Sequence, residues 1–311
     1  MKTSIVELGK YIGYVTEDDT DLVSVEYEVA WDPGTTTRRA TWESLKELGL
    51  ISEGSFPSHA VIVEAMIKLF KEEFPFFENF AADGGGIEAN IPPMCMSLHK
   101  SKDVQKVLQK YMNYLEYYGF SDQSISAGIH LNVDYSLLGK NRIEYANTLK
   151  NLCQFSYENI DFMVKMSGRK RNAQILSDMY HFLGDVYALK DPKQNLEEFL
   201  IHKNLLADHF ISDNTSSHLS LFNLHIGKDG RNALEIRWFG TTLCLREYYE
   251  ILEFGVGLVY YCRYSDISDL SVDKFVMFLE ETPSKYDNIL NKISSSKKPK
   301  YAHNTRNIRE S

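Results

Sequence analysis

Polar and apolar residues alternate with a period of two in three short stretches of this chain: Val25-Glu26-Tyr27-Glu28-Val29, Gly128-Ile129-His130-Leu131-Asn132-Val133-Asp134, and the run from Leu234 to Leu243. Period two is the pattern of a half-buried strand, in which side chains at i and i+2 share a face. Each stretch should bury its apolar set and present a polar set on the other side. Those polar sets pair Glu26 with Glu28, His130 with Asn132, and Glu235 with Arg237. Carboxylates, an imidazole, an amide and a guanidinium are ligands for a hard cation and for phosphate. Their strands are expected to line the concave face of a sheet that carries an active site.

The remaining pattern supplies the elements around these strands. A first strand is expected over about 22–31, then a turn at Asp32-Pro33-Gly34 and a polar, basic loop in which Arg38 and Arg39 are solvated. Helical spacing of Val61, Ala65, Ile67, Leu69 and Phe70 predicts a helix from Pro57 to Glu73. Gly84-Gly85-Gly86 reads as a flexible turn rather than a phosphate cradle, because the Lys-Ser/Thr of a P-loop is missing. It leads into a strand, Ile87 to Ile91, that Pro92-Pro93 should end. Val104, Val107, Leu108, Tyr111 and Leu115 mark one side of a helix over Ser101–Tyr118, with Gly119 as its stop. Its tyrosines Tyr111, Tyr114, Tyr117 and Tyr118 read as packing residues.

Residues 141–164 and Glu247–Tyr264 read as helices, as does Asp273–Glu281. The runs 219–226 and 233–239 form the strands of a hairpin across the turn-rich Gly227–Asn232. The hairpin demands antiparallel pairing, so the expected class is α+β, a mainly antiparallel sheet with helices packed on its convex face. One domain over residues 1–293 is expected, followed by a basic, disordered tail from about Ser294 to Ser311.

Charge and composition narrow the function. The 311 residues carry a net charge of −9, which argues against general nucleic-acid or membrane binding. Cys95, Cys153, Cys244 and Cys262 lie far apart with no Cys-x-x-Cys pair, which disfavours a disulfide framework and a zinc site and suits a reducing cytosol. The first residues lack the apolar core of a signal peptide, and no apolar run reaches transmembrane length, so a soluble, cytoplasmic protein is expected.

Taken in order, Glu26-x-Glu28, Asp83-x4-Glu88-Ala-x-x-Pro-Pro, Gly128-x-His130-x-Asn132 and Glu235-x-Arg237-x4-Thr242-Leu243 resemble the carboxylate–amine ligase superfamily of glutamine synthetase and glutamate–cysteine ligase. The resemblance is nearest to its amidoligase branch, known in bacteria and bacteriophages, and runs from about Val25 to Leu243. Each motif alone is weak; the order of the four carries the resemblance. It implies an antiparallel sheet curled into a funnel, with ATP entering one end, the amino substrate the other, and Mg2+ between them. It further implies a two-step reaction, in which a carboxylate takes the γ-phosphate of ATP as an acyl phosphate and an amine then displaces phosphate to form an amide.

By the same resemblance Glu26, Glu28, Asp83, Glu88, His130 and Glu235 would ligate metal. Arg237, His130 and Asn132 would act at the reacting groups. Softer expectations are that Arg169 and Arg171, in the basic loop with Lys170, bind substrate carboxylate or nucleotide phosphate. His218 stands where family members often carry a basic residue ahead of the penultimate strand, and Asp32-Pro33-Gly34 departs from the usual pattern after the first strand. The substrates implied are an amine and the carboxylate of an amino acid or peptide; the oligomeric state is open. The alternatives are a non-catalytic member of the fold acting in binding or assembly, and a phosphotransferase on the same core. Read alone, Glu26 and Glu28 would be a solvated strand face, His130 a satisfied structural histidine, and Glu235 with Arg237 a cross-strand ion pair.

Overall fold

The computed structural model describes residues 22–52, 54, 56–122, 127–168, 222–225 and 233–297. Their centre is strand β1, Val23–Trp31, whose residues alternate strictly between buried and half-buried. Val23, Val25, Tyr27, Val29 and Trp31 form its apolar face, and Glu26 and Glu28 its polar one. The sheet is seven-stranded and open, in the order β2-β3-β1-β5-β7-β6, with the short β4 (Phe120–Ser121) pairing with β1. β2 covers Asn79–Asp83, β3 Gly86–Met94, β5 Gly128–Asp134, β6 Phe222–His225 and β7 Ala233–Gly240. Every described pairing is antiparallel, so the α+β class stands.

The helices are α1 (Thr35–Glu47), α2 (His59–Glu73), α3 (Met96–His99), α4 (Lys102–Tyr117), α5 (Tyr135–Leu138), α6 (Arg142–Glu158), α7 (Ile160–Ser167), α8 (Leu245–Tyr264), α9 (Val272–Glu280) and α10 (Asp287–Lys297). One hydrophobic cluster runs from Val23 on β1 to Ile293 on α10. α8 lies so close to the sheet that a Cβ at Gly255 would come within 2.3 Å of Leu131 Cδ1, on the strand that carries His130. His99 at the end of α3 is fully buried, and its Nε2 meets the Val23 carbonyl at 2.9 Å, anchoring the start of β1. Burial pulls its pKa down to about 4, because an imidazolium there would lose its hydration, while the bond to Val23 acts the other way.

Several expectations need correction. Residues after Pro33-Gly34 form the helix α1 rather than a loop. Only Thr41 and Leu45 of that helix are buried, so its apolar period is too thin to read. Arg39 is solvated beside Glu43, but Arg38 is half-buried, its guanidinium 5.1 Å from the Phe56 ring and 5.9 Å from the Trp31 ring. Pro92-Pro93 do not end β3, which continues to Met94. Val25 pairs with Ile91 but Val23 with Met94, so the prolines occupy an irregularity where the ladder asks for no donor. The triple glycine is a tight turn: Asp83 pairs with Gly86, and Gly84 and Gly85 between them have φ of 48° and 88°. A two-residue hairpin with both φ positive favours glycine at both positions.

The helix expected over 141–164 is two, α6 and α7, divided at Asn159. α10 extends to Lys297, so Ser294–Lys297 are helical where the disordered tail was expected to begin, and the rest of that tail lies outside the described residues. On α4, Tyr111 is buried as packing requires, whereas Tyr117 lies exposed. Among the described residues no helix is long and apolar enough to cross a membrane.

Candidate functional site

The polar face of the sheet is assembled by register. Glu26 on β1 stands directly across from His130 on β5 and from Asn90 on β3, while Glu28 stands across from Glu88. Asn132 faces Glu235 on β7. Cross-strand neighbours on one face have Cβ atoms about 5 Å apart, so residues over 200 positions apart in sequence come to share one patch.

β7 adds a device that alternation alone does not contain. Ile129 pairs with Phe239 but Leu131 pairs with Ile236, so the two residues Arg237 and Trp238 lie opposite the single residue His130. Such a bulge re-aims side chains and is common beside active sites. Here Arg237 turns toward the acidic patch, and its Nη1 donates to Glu235 Oε1.

The centre of the patch is the Nδ1 atom of His130. It lies 3.2 Å from Glu235 Oε1, 3.3 Å from Glu26 Oε2 and 3.4 Å from Glu28 Oε1. A single imidazole N–H cannot serve three acceptors, so this arrangement is more than a satisfied histidine. The second oxygens of Glu26 and Glu28 are held from behind: Asn132 Nδ2 donates to Glu26 Oε1 at 3.0 Å, and the Gly128 N–H donates to Glu28 Oε2 at 3.2 Å. One oxygen of each is thus fixed by the protein and the other is aimed at a common point. Glu26, His130 and Glu235 each offer a ligand atom within 4.8 Å of the others, a spacing suited to a metal ion.

Burial and crowding set the electrostatics of the patch. His130 is 3% exposed and Glu235 1%. Burial pulls the pKa of His130 down, but hydrogen bonds to Glu235 and Glu26 and the charge of Glu28 outweigh it and raise it to about 9. Burial pushes Glu28 up to about 7; the positive charge of His130 works against that, and Asp83 and Glu88 add to it. Burial likewise raises Glu88, against the bond that Asn90 Nδ2 donates to it at 2.9 Å. A divalent cation beside these carboxylates would favour their ionised forms.

The expected site residues therefore divide. Glu26, Glu28, His130, Asn132, Glu235 and Arg237 converge, and Glu88 adjoins them across β1 and β3. Asp83 sits at the exposed end of β2, close enough to raise Glu28 and Glu88 but outside the three-residue cluster. Arg169, Arg171 and His218 lie outside the described residues. Asn90 was not singled out from sequence, although its place two residues after Glu88 on the same strand face was a sufficient signal. Comparison of the chain with protein-family models and with curated protein sequences gives no match.

Proposed function

We propose that this chain is an ATP- and Mg2+-dependent ligase that joins a carboxylate to an amine through an acyl phosphate. The observation that carries the reading is the convergence of Glu26 and Glu28 from β1 and Glu235 from β7 on His130 Nδ1 of β5. Gathering three carboxylates against His130 and Arg237 on one partly buried face is costly for the fold alone, which favours a cation-binding role over a purely structural one. The order of the four motifs supports the ligase chemistry over other uses of a cation, and the curl of the sheet into a funnel belongs to the same proposal.

Glu26, His130 and Glu235 would hold one Mg2+, with Glu28 beside them and Glu88 and Asp83 extending the acidic face for a second. Bound there, Mg2+ would neutralise triphosphate charge, so that two anions can approach in line. The protein's own part is preorganisation. Asn132 and the Gly128 amide fix the carboxylates before any ligand arrives, which limits reorganisation during reaction. Arg237 presents a planar two-pronged donor suited to the transferring phosphoryl group or to the substrate carboxylate.

The test is chemical trapping. The purified protein, incubated with ATP, Mg2+, hydroxylamine and a panel of amino acids and short peptides, is expected to release ADP and phosphate and to form a hydroxamate with one class of carboxylate. Phosphate transfer to an amine or guanidine, with no hydroxamate, would replace the ligase with a phosphotransferase.

A further inference from the structure

Two cationic groups end on one oxygen. His130 Nδ1 lies 3.2 Å from Glu235 Oε1, and Arg237 Nη1 donates to that same atom. The other carboxylates of the patch have different partners: Glu26 Oε1 accepts from Asn132, Glu28 Oε2 from the Gly128 amide, and Glu88 Oε1 from Asn90. Those three donors are neutral, and each holds an oxygen other than the one nearest His130, or a carboxylate outside the cluster. Glu235 alone has its inward oxygen covered by a full positive charge from its own strand.

A divalent cation held by Glu26, His130 and Glu235 needs that inward oxygen as a ligand, at about 2.0–2.2 Å. A guanidinium on the same lone pairs would stand within a few ångströms of the ion, and the two positive groups would repel. Cation and Arg237 therefore compete for Glu235. Arg237 cannot yield by losing its proton, since guanidinium remains charged in proteins; it yields by moving. The bulge opposite His130 places it at the rim of the cluster, where its side chain is 18% exposed against 1% for Glu235. Displacement would carry the guanidinium toward the exposed rim.

We infer that Arg237 is a clamp which a bound divalent cation releases from Glu235 and which then holds an oxyanion, a carboxylate or a phosphoryl group. The inference rests on the cation site of the proposed function and gives it an order: cation first, oxyanion second. Linkage makes the effect reciprocal, so the oxyanion must tighten cation binding by the same factor that the cation tightens oxyanion binding.

The experiment measures Mn2+ binding, by the electron paramagnetic resonance of the free ion, in the full chain without nucleotide. Titrations are run without anion, with sulfate as a tetrahedral oxyanion, and with acetate as a carboxylate. In the wild type one of the two anions is expected to tighten Mn2+ binding by at least about fivefold, the lower end of ordinary coupling, and its identity tells which oxyanion the clamp takes. In Arg237→Gln, Mn2+ alone is expected to bind at least as tightly as in the wild type, and the anion effect should fall to within about twofold of none. Arg237→Lys keeps the charge but not the two-pronged donor and should lose most of the anion effect; it serves as the readout if Arg237→Gln does not fold. Coupling that survives in both variants overturns the clamp while leaving the cation site standing, as does weaker Mn2+ binding in Arg237→Gln. No Mn2+ binding to the wild type removes the cation site itself and the clamp with it.

Discussion

Glu26 and His130 are direct cross-strand partners on β1 and β5, and their side chains meet at 3.3 Å between Glu26 Oε2 and His130 Nδ1. The pair is completed from outside, by Glu28 along β1 and by Glu235 from β7. Three carboxylates thus gather on one imidazole, and Arg237 also pairs with Glu235.

The burial of Glu28 should appear as a stability defect at the site. Glu28, raised to about 7, favours its protonated form in the fold and so weakens the fold once it ionises. Against an ordinary carboxylate, the metal-free protein loses on the order of 3 kcal/mol to this group at pH 8. Glu28→Gln, which can still accept from the Gly128 amide, should therefore raise the urea midpoint in EDTA at pH 8. A lower midpoint would mean that the carboxylate is satisfied as it stands.

His99 provides a pH dependence remote from the site. Its folded pKa of about 4 lies below the ordinary value of 6.5, so the unfolded chain binds the proton first. Stability is then whole above pH 6.5 and falls as pH drops toward 4, by on the order of 3 kcal/mol in all. Denaturant melts at pH 7, 5.5 and 4.5 should show this fall in the wild type and less of it in His99→Gln. Parallel pH curves for the two proteins would contradict it.

How much of this was legible from sequence depended on whether a residue acts within one element or between elements. The alternation around Glu26, His130 and Glu235 is local, and it reports correctly which side chains share a face. The strand β2 escaped notice because Asn79–Asp83 is a short edge strand with most of its residues exposed or half-buried. The reach of β3 past Pro92-Pro93 depends on where β1 leaves the ladder. The placement of Arg237 and Trp238 opposite the single residue His130 depends on a bulge set by the pairing of two strands about 100 residues apart. Register and bulges belong to pairs of strands, and a single strand's periodicity does not contain them.

The helix α10 is fastened through the buried carboxylate of Glu253. Lys100 Nζ contacts Glu253 at 2.8 Å and Asp287 at 2.6 Å, and Glu253 also accepts from Asn288 and from the Ile289 amide. Lys100→Met leaves Glu253 buried without its cation and should cost about 3–5 kcal/mol. The double variant Lys100→Met/Glu253→Leu should recover much of that loss. Thermal melts of the set decide it; a double variant no better than Lys100→Met would show that the pair is not the cause.

Gly86 permits the approach of β3 to β1. A Cβ there would lie 1.8 Å from the Val29 carbonyl oxygen and 2.8 Å from the Ala30 Cα, both backbone atoms that cannot rotate away. Gly86→Ala should therefore cost at least about 3 kcal/mol, the upper end of ordinary overpacking, and disturb the register that sets Glu88 opposite Glu28. A soluble Gly86→Ala protein with wild-type stability would contradict the pairing described.

A cation-dependent nucleotide site is tested by calorimetric titration of ATP and ADP with and without Mg2+, beside Glu235→Gln. Nucleotide binding is expected to require Mg2+ and to be lost in a Glu235→Gln protein whose thermal unfolding still shows a folded chain. Nucleotide binding that is indifferent to Mg2+ and to Glu235, or no binding at millimolar nucleotide, would contradict it.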